Sequence, residues 1–328
     1  MLSPVEMVEL WRGPFRESVH SGHAVICGPG GQIVQAWGNP DQVILPRSST
    51  KMIQALPLIE SGAAKAFGLT QQQLAFACAS HEGAALHSQM ATDWLTSLGL
   101  GDKDLLCGPE APRDREAKFA MIRAYEKPCH IHHNCSGKHC GFLTLGQHLN
   151  VGPEYVEPDH PVQQAVRDAF EHVTGMESPG FGVDGCSAPN FATTVHGLAR
   201  AMAYFASAGA GDGRSRAAAA LRDAIIAHPV HVAGEGRACT RLMRACAGRA
   251  AVKTGAEGVF TAIVPEKGLG IAVKIVDGTT RASESAIAGL LVQAGVLDPT
   301  HPDARRYLDT PLKNARGTEI GRMRSLLG

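Results

Sequence analysis

The 328-residue sequence has no excess of charge of either sign. Its 31 lysines and arginines balance 31 aspartates and glutamates, so the formal net charge at pH 7 is zero. Proteins that bind nucleic acids or anionic membranes usually carry a basic patch or stripe. We therefore predict neither nucleic acid nor a membrane surface as a partner. The composition, with 44% hydrophobic and 19% charged residues, is typical of ordinary globular proteins.

Long apolar runs are also missing. No stretch reaches the roughly 18 uninterrupted apolar residues of a membrane-spanning helix. The first residues, MLSPVEMVELWRG, lack the basic segment and apolar core of a secretory signal. The nine cysteines are odd in number and scattered, which argues against a disulfide framework. We expect a protein of the reducing cytoplasm.

The order of strand-like and helix-like segments predicts the fold class. Two β-rich runs flank residues 28–31 (GPGG) and predict a hairpin, while their glycines lack the G-x-G-x-x-G spacing of a dinucleotide loop. Three more β-rich runs follow residue 250. We expect one α/β (α+β) domain over residues 1–328, with helices flanking a mainly antiparallel sheet from both chain ends. The sheet is expected from about 8–45 and 250–280, a helical lobe at about 48–248 and a closing helix at 283–297.

The stretch PRSSTK contains Ser48 and Lys51 where a helix is expected to begin. Positions i and i+3 share a helix face, so Lys51 would reach the Ser48 hydroxyl and could act as its base if its pKa were lowered. A single S-x-x-K is a weak signal, and Ser48 or Ser49 could instead be a helix N-cap. As an N-cap, the serine hydroxyl would accept a hydrogen bond from the helix backbone; as a nucleophile, it would not.

A second motif, Lys253-Thr254-Gly255, lies on the first expected strand of the C-terminal block. S-x-x-K, a helical lobe and then K-T-G on a strand is the order of serine β-lactamases and penicillin-binding proteins. The second serine of that arrangement would be Ser80 in CASHEG. His81 and Glu82 replace the usual amide there, which makes a penicillin-directed activity less favoured. Taken singly, Ser80 and Lys253 are more simply structural residues.

The sequence resembles the rhizobial-type, thermolabile L-asparaginase II family, which has a serine β-lactamase-like fold. The matching segments follow one another in the same order: PRSSTK at 46–51, ASHEG at 79–83, HHNCSGKH at 132–139, DGCSAP at 184–189 and VKTGAEGVF at 252–260. The resemblance implies hydrolysis of L-asparagine to L-aspartate and ammonia by a homodimer. It also implies two serine-lysine pairs, Ser48 with Lys51 and Ser80 with Lys253. We take Ser48 as the nucleophile.

The segment 130–140 holds four histidines and two cysteines, a density that suggests a borderline metal such as Zn²⁺, although no C-x-x-C is present. The histidines could equally line a polar cleft, and buried cysteines are common small hydrophobes. The family resemblance implies that Cys135, Lys138 and Cys186 hold zinc near the substrate. A lysine ligand binds only when unprotonated, so such a site would depend on pH.

A small zwitterionic substrate needs both of its charges bound. Asp184 is the candidate for the α-amine, and Arg47 or His139 for the α-carboxylate, with Glu82 a further binding candidate. Asp184 could also be only a turn residue and Arg47 a surface ion-pair partner.

Other functions are compatible with the same motifs. A glutaminase, or a peptidase or β-lactamase-like enzyme of this fold, would differ mainly in the pocket. A catalytically silent zinc-binding or amino-acid-sensing protein would keep the fold without turnover.

Overall fold

The computed structural model describes residues 2–328. The strands are β1 Val5–Arg12, β2 Phe15–Cys27, β3 Ile33–Trp37, β4 Val43–Ile44, β5 Phe181–Val183, β6 Pro189–Phe191, β7 Thr193–Thr194, β8 Ala251–Thr254, β9 Val259–Val264, β10 Leu269–Ile275, β11 Asp309–Lys313 and β12 Glu319–Ser325. The helices are α1 Lys51–Gln54, α2 Leu56–Glu60, α3 Ala63–Ala66, α4 Gln71–Ala77, α5 Ala85–Ser97, α6 Arg115–Arg123, α7 Ser136–Leu149, α8 Pro161–Thr174, α9 Val195–Ser207, α10 Gly213–Ala227, α11 Pro229–Val232, α12 Ala238–Ala245, α13 Thr280–Gln293 and α14 Pro302–Leu308.

One eight-stranded antiparallel sheet combines both chain ends, in the order β11-β12-β1-β2-β10-β9-β8, with β3 paired to β2. The predicted hairpin is confirmed, because β2 and β3 pair across a turn closed by the Gly28 N–H and the Gln32 carbonyl at 2.9 Å. The three strands expected after residue 250 are β8, β9 and β10. The predicted fold class, a sheet from both ends with helices and an inserted helical lobe, is therefore confirmed.

Helices cover the sheet, and α9 and α13 both pack on β9 and β10. All six residues of β9 are buried, as a strand covered on both faces requires. Two short antiparallel pairs lie outside the main sheet, β4 with β7 and β5 with β6, so residues 43–44 do not join the sheet predicted from about 8–45. These pairs bring residues 43–44 next to 193–194, and 181–183 next to 189–191.

The C-terminal end of the sheet differs from the sequence prediction. The hairpin of β11 and β12 extends the sheet beyond β1, and β1 begins at Val5 rather than near residue 8. The predicted closing helix is α13, which begins at Thr280 and ends at Gln293, three to four residues before the predicted 283–297. Alternating exposure in β11 weakens its apolar signal, because much of this edge strand faces water. Among residues 2–328, no helix combines the length and apolar character needed to cross a membrane.

Candidate active site

Ser48 lies in a short 3-10 turn, Arg47–Thr50, that leads directly into α1. The neighbouring hydroxyls stabilise the turn, since Ser49 donates to the Pro46 carbonyl at 2.7 Å and Thr50 to the Arg47 carbonyl at 3.0 Å. Neither serine is an N-cap, because no side chain caps this turn. Among residues 2–328 the Ser48 hydroxyl has no hydrogen-bond partner, and Ser48 lines a cavity of about 450 Å³, called here the Ser48 cavity.

Arg47 fixes the direction of this turn. Its φ of 54° lies in the left-handed region, which costs a non-glycine residue about 1–3 kcal/mol and persists only when the surroundings impose it. Its N–H donates to Asn190 Oδ1 at 3.1 Å, and its Nη2 and Nε lie 2.6 and 2.8 Å from Asp184 Oδ1. Contacts from the loop after β5 and from β6 thus hold the residue that precedes Ser48.

Lys51 is buried behind the turn. Its ammonium donates to the carbonyl of Ala79 and to Cys135 Sγ, the latter at 3.1 Å. It makes no hydrogen bond to Ser48 within the described chain. Ser48 and Lys51 are therefore close along the chain, on one turn, but the predicted pair does not form a direct hydrogen bond.

Ser80 and Lys253 do form a direct pair. Lys253 Nζ donates to Ser80 Oγ at 2.8 Å and to the Thr254 carbonyl at 2.9 Å. Ser80 lines the Ser48 cavity, while the Lys253 side chain is 1% exposed. Burial first, and the nearby charge of Lys51 second, lower the pKa of Lys253 to about 7. The Lys253 amine is therefore a base that is partly neutral at neutral pH.

Strand β8 lies directly against the Ser48 turn. A Cβ at Gly255 would stand 2.7 Å from the Pro46 carbonyl oxygen, so only glycine permits this approach. Thr261, on the neighbouring strand β9, donates to the Lys253 carbonyl at 3.2 Å and reaches the Ser49 carbonyl at 3.4 Å. These contacts bring the S-x-x-K and K-T-G motifs to one cavity.

The two cysteines that the family resemblance assigns to zinc lie at the wall of the Ser48 cavity. Cys135 and Cys186 line the Ser48 cavity, and Lys138 Nζ lies 2.9 Å from Cys186 Sγ. A hydrogen bond between the two thiols raises the pKa of Cys135 and lowers that of Cys186. Within residues 2–328, no group of three or more His, Cys, Asp or Glu side chains is arranged to hold a metal ion. The predicted set differs from such a group because it contains a lysine.

Two predicted substrate ligands lie outside the cavity lining. His139 is fully buried in α7, where its Nδ1 lies 2.8 Å from the Tyr155 hydroxyl and its Nε2 has no partner among the described residues. Burial lowers the pKa of His139 to about 4, so its ring is neutral at pH 7. Glu82 is half-buried, and its backbone carbonyl accepts from the N–H groups of Arg113 and Asp114 at 2.8 Å.

The cavity also contains charged residues that the sequence analysis did not select. Glu110 and Arg113 line it and pair with each other at 3.0 Å, and Arg237 and Glu257 line it as well. Asn134 lies inside the segment HHNCSGKH and donates to the Glu110 carboxylate. Only Asn134 and Glu257 fall within a quoted motif, so no local pattern identified the other three.

The Ser48 cavity is polar and is lined by two serines, one of which, Ser80, is hydrogen-bonded to the buried amine of Lys253. The chain belongs to the L-asparaginase II family, whose model matches residues 8–325. The resemblance predicted from the motifs is thereby confirmed. Membership of this family supports an amidohydrolase activity.

Distant similarities to solved structures were also found. Mglu in its native form is 13% identical with a TM-score of 0.45, over 87% of this chain and 66% of that chain. Mglu in its glutamate form is 14% identical with a TM-score of 0.46, over 84% of this chain and 61% of that chain. The present chain thus spans less than two thirds of these Mglu chains.

A β-lactamase from Mycobacterium bovis is 12% identical with a TM-score of 0.44, over 83% of this chain and 94% of that chain. Similarities this distant carry no functional argument. The comparison with curated proteins gave no match.

Proposed function

We propose that the protein hydrolyses the side-chain amide of L-asparagine to L-aspartate and ammonia, with Ser48 as the nucleophile. One observation carries the proposal. The Ser48 hydroxyl, free of hydrogen bonds within the described chain, shares a cavity with the Ser80–Lys253 pair, whose amine has a pKa of about 7. A serine becomes a useful nucleophile when a nearby neutral base accepts its proton.

The reaction proceeds through an acyl-enzyme. Ser48 Oγ attacks the side-chain amide carbon while its proton passes to Ser80, which gives its own proton to neutral Lys253. The tetrahedral intermediate collapses, the C–N bond breaks, and the proton returns through Ser80 to the departing nitrogen as ammonia. Water then attacks the ester carbon and gives one proton through Ser80 to Lys253. The bond between the acyl carbon and Ser48 Oγ breaks, that proton passes back through Ser80 to Ser48 Oγ, and aspartate is released.

Lys51 supports this chemistry from behind the turn. Its buried charge is held by the Ala79 carbonyl and Cys135 Sγ, and it is one cause of the lowered pKa of Lys253. The backbone N–H groups of Ser48 and Ala256, both on the cavity wall, have no partner within residues 2–328. They are the proposed donors to the oxyanion of the tetrahedral intermediate.

Asp184 is proposed to bind the α-ammonium group of the substrate. Its Oδ1 accepts from Arg47 and from the Gly185 N–H at 2.8 Å, while its Oδ2 has, within the described chain, only a 4.0 Å contact with Cys186 Sγ. One carboxylate oxygen therefore orients the side chain, and the other is left for the ligand. Arg47 acts here as the group that positions Asp184.

The family resemblance implies zinc, and the residues present fit it. Two thiols and an amine gather at Cys135, Lys138 and Cys186. Cysteine thiolate is a usual Zn²⁺ ligand, and the Lys138 amine would bind only after losing its proton. These three side chains would hold the ion. When bound, zinc would supply positive charge that orients a polar group of the substrate. The proton transfers described above use only this chain's serines and lysine.

Glutamine is the second candidate substrate. The Ser48 cavity of about 450 Å³ has room for one additional methylene group, which by itself changes selectivity only about 10- to 200-fold. Ammonia release from asparagine and from glutamine, and nitrocefin cleavage, should be measured side by side on one preparation of known metal content. Asparagine is expected to give the highest kcat/KM. Absence of ammonia release from both amino acids would reject the proposal and favour a silent sensor.

Metal removal separates two roles of zinc. If the ion orients the substrate, chelation raises the KM for asparagine and leaves a measurable kcat. Complete loss of kcat, restored by added zinc, would instead indicate a metal-activated water. The homodimer and the cytoplasmic location stay predictions, and light scattering on the purified protein tests the first.

A further inference from the structure

Three arginines line the Ser48 cavity, and their surroundings differ. Arg47 is paired with Asp184 at 2.6 Å, and Arg113 is paired with Glu110 at 3.0 Å. Arg237 makes neither an ion pair nor a side-chain hydrogen bond with any residue in 2–328. It is the cavity arginine whose guanidinium donors are all available to a ligand.

The segment that carries Arg237 is anchored to both halves of the serine-lysine pair. On the Ser80 side, the Ser80 N–H donates to the Val232 carbonyl at 2.9 Å. On the Lys253 side, the Thr254 N–H donates to Cys239 Sγ at 3.3 Å, two residues after Arg237. The backbone that carries the Arg237 guanidinium is therefore hydrogen-bonded to the segments of both Ser80 and Lys253.

The loop before Arg237 is closed internally as well. The buried Thr240 hydroxyl donates to the Gly234 carbonyl at 2.6 Å and to the Pro229 carbonyl at 3.1 Å. These bonds fix the start of α12, which Arg237 directly precedes. A ligand-binding side chain held in this way loses little backbone entropy on binding.

The carboxylates of Glu82 and Glu284 lie near Arg237 but form no ion pair with its guanidinium. Burial raises the pKa of both Glu82 and Glu284, and the charge of Arg237 opposes that rise in each case. Neither carboxylate lies within the 4.0 Å of an ion pair with it. The positive charge of Arg237 is thus available on the cavity side.

We propose that Arg237 binds the α-carboxylate of the substrate and so restricts the enzyme to free amino acids that carry a side-chain amide. This assignment rests on the proposed function and replaces the earlier candidates for that group. Arg47 would have to give up Asp184, and His139 does not line the cavity. An unpaired guanidinium matches a carboxylate with two parallel hydrogen bonds.

The test compares Arg237→Gln with the wild type on two substrates. One is L-asparagine. The other is its α-N-methylamide, which lacks the carboxylate and releases ammonia only from the side chain. The variant should raise the KM for asparagine about 10- to 100-fold, the range for a lost charged hydrogen bond, with kcat changed less than about threefold. The KM for the methylamide should be high and equal in both proteins.

Two further variants complete the comparison. Arg237→Lys keeps the charge without the planar fork and should recover part of the lost affinity. Arg244→Gln removes an exposed arginine of α12, paired with Glu235 at 2.7 Å, and should leave both KM values unchanged. Thermal unfolding of each variant verifies that it is folded.

Equal KM values for asparagine in Arg237→Gln and wild type would overturn the assignment, as would an equal increase on both substrates. Calorimetric binding of L-aspartate distinguishes this failure from failure of the proposed function. If the wild type releases no ammonia but binds aspartate, and Arg237→Gln weakens that binding at least tenfold, the carboxylate site stands and the asparaginase proposal falls. No binding and no turnover in the wild type would reject both.

Discussion

Lys253 Nζ donates a hydrogen bond to Ser80 Oγ at 2.8 Å, although 173 positions separate the two residues in the chain. The lysine is buried and its pKa is lowered to about 7, while the serine faces the cavity that Ser48 also lines. The Lys253 amine and the Ser80 hydroxyl are therefore in contact at the wall of the Ser48 cavity. In the proposed mechanism this pair, rather than Lys51, accepts the proton.

Ser48→Ala should lower kcat for ammonia release by at least about 10³-fold, because removing a serine nucleophile commonly has an effect of that size or larger. The protein should stay folded, since the Ser48 hydroxyl has no intramolecular partner among the described residues. Steady-state kinetics and circular dichroism check both parts. Ser49→Ala is the matched control and should keep turnover within about tenfold, with a stability loss of about 1 kcal/mol from the bond to Pro46. Turnover of folded Ser48→Ala at the wild-type rate would exclude Ser48 as nucleophile.

The pH profile should follow the titration of Lys253. Its folded pKa of about 7 lies below the ordinary value of 10.5, so the amine is neutral and active as a base above pH 7 and protonated below it. We expect kcat/KM to fall about tenfold per pH unit below pH 7. Lys253→Arg stays protonated at every accessible pH and should be almost inactive throughout.

The control for Lys253 is Lys267→Arg, at a lysine that donates to the Ala294 carbonyl away from the Ser48 cavity. It should reproduce the wild-type profile. A flat profile between pH 5 and 8 in the wild type would contradict the role of Lys253 as base.

Asp184→Asn should raise the KM for asparagine about 10- to 100-fold. The substitution removes the carboxylate charge that is proposed to bind the substrate ammonium, and it weakens the ion pair with Arg47. A smaller fall in kcat should accompany this change, since Arg47 directs the Ser48 turn. Asp168→Asn provides the comparison, as its exposed carboxylate pairs with Arg214 at 2.7 Å outside the cavity. Identical KM values for Asp184→Asn and Asp168→Asn would argue against the ammonium site.

Gly137→Ala should destabilise the protein by about 1–3 kcal/mol, the usual cost of overpacking a close contact. A Cβ at this position of α7 would clash with the Phe76 carbonyl on α4. Gly146→Ala in the same helix has only contacts of 3.8 and 3.9 Å and should stabilise by about 0.5–1 kcal/mol through helix propensity. Urea unfolding measures both free energies, and equal values would contradict the packing argument.

Sequence patterns predicted the parts of the site that are local. The Ser48–Lys51 spacing, the K-T-G triplet and the glycine turn between β2 and β3 are short, and each follows from rules on neighbouring residues. The β-lactamase-like order of motifs added Ser80, the charges of a zwitterionic substrate suggested Asp184, and the family resemblance added the cysteines. The edge strands β11 and β12 escaped prediction because their half-exposed residues leave little apolar periodicity.

Pairings between distant segments had no such local signal. No spacing rule indicates that Arg47 pairs with Asp184, that Lys51 bonds to Ala79 and Cys135, or that Arg237 has no ion-pair partner among residues 2–328. His139 was a reasonable candidate by its neighbours in sequence, yet its ring is buried against the Tyr155 hydroxyl and does not line the Ser48 cavity.

The sequence by itself determined the chemical groups available, the order of strands and helices, and the glycines that close approach requires. Only the tertiary structure decided which lysine contacts a serine and which arginine keeps its charge for a ligand. The physical reason is that pKa values and ion pairs depend on burial and on distances of a few ångströms between segments far apart in the chain. Those quantities exist only once the sheet from both chain ends and the helical lobe have packed together.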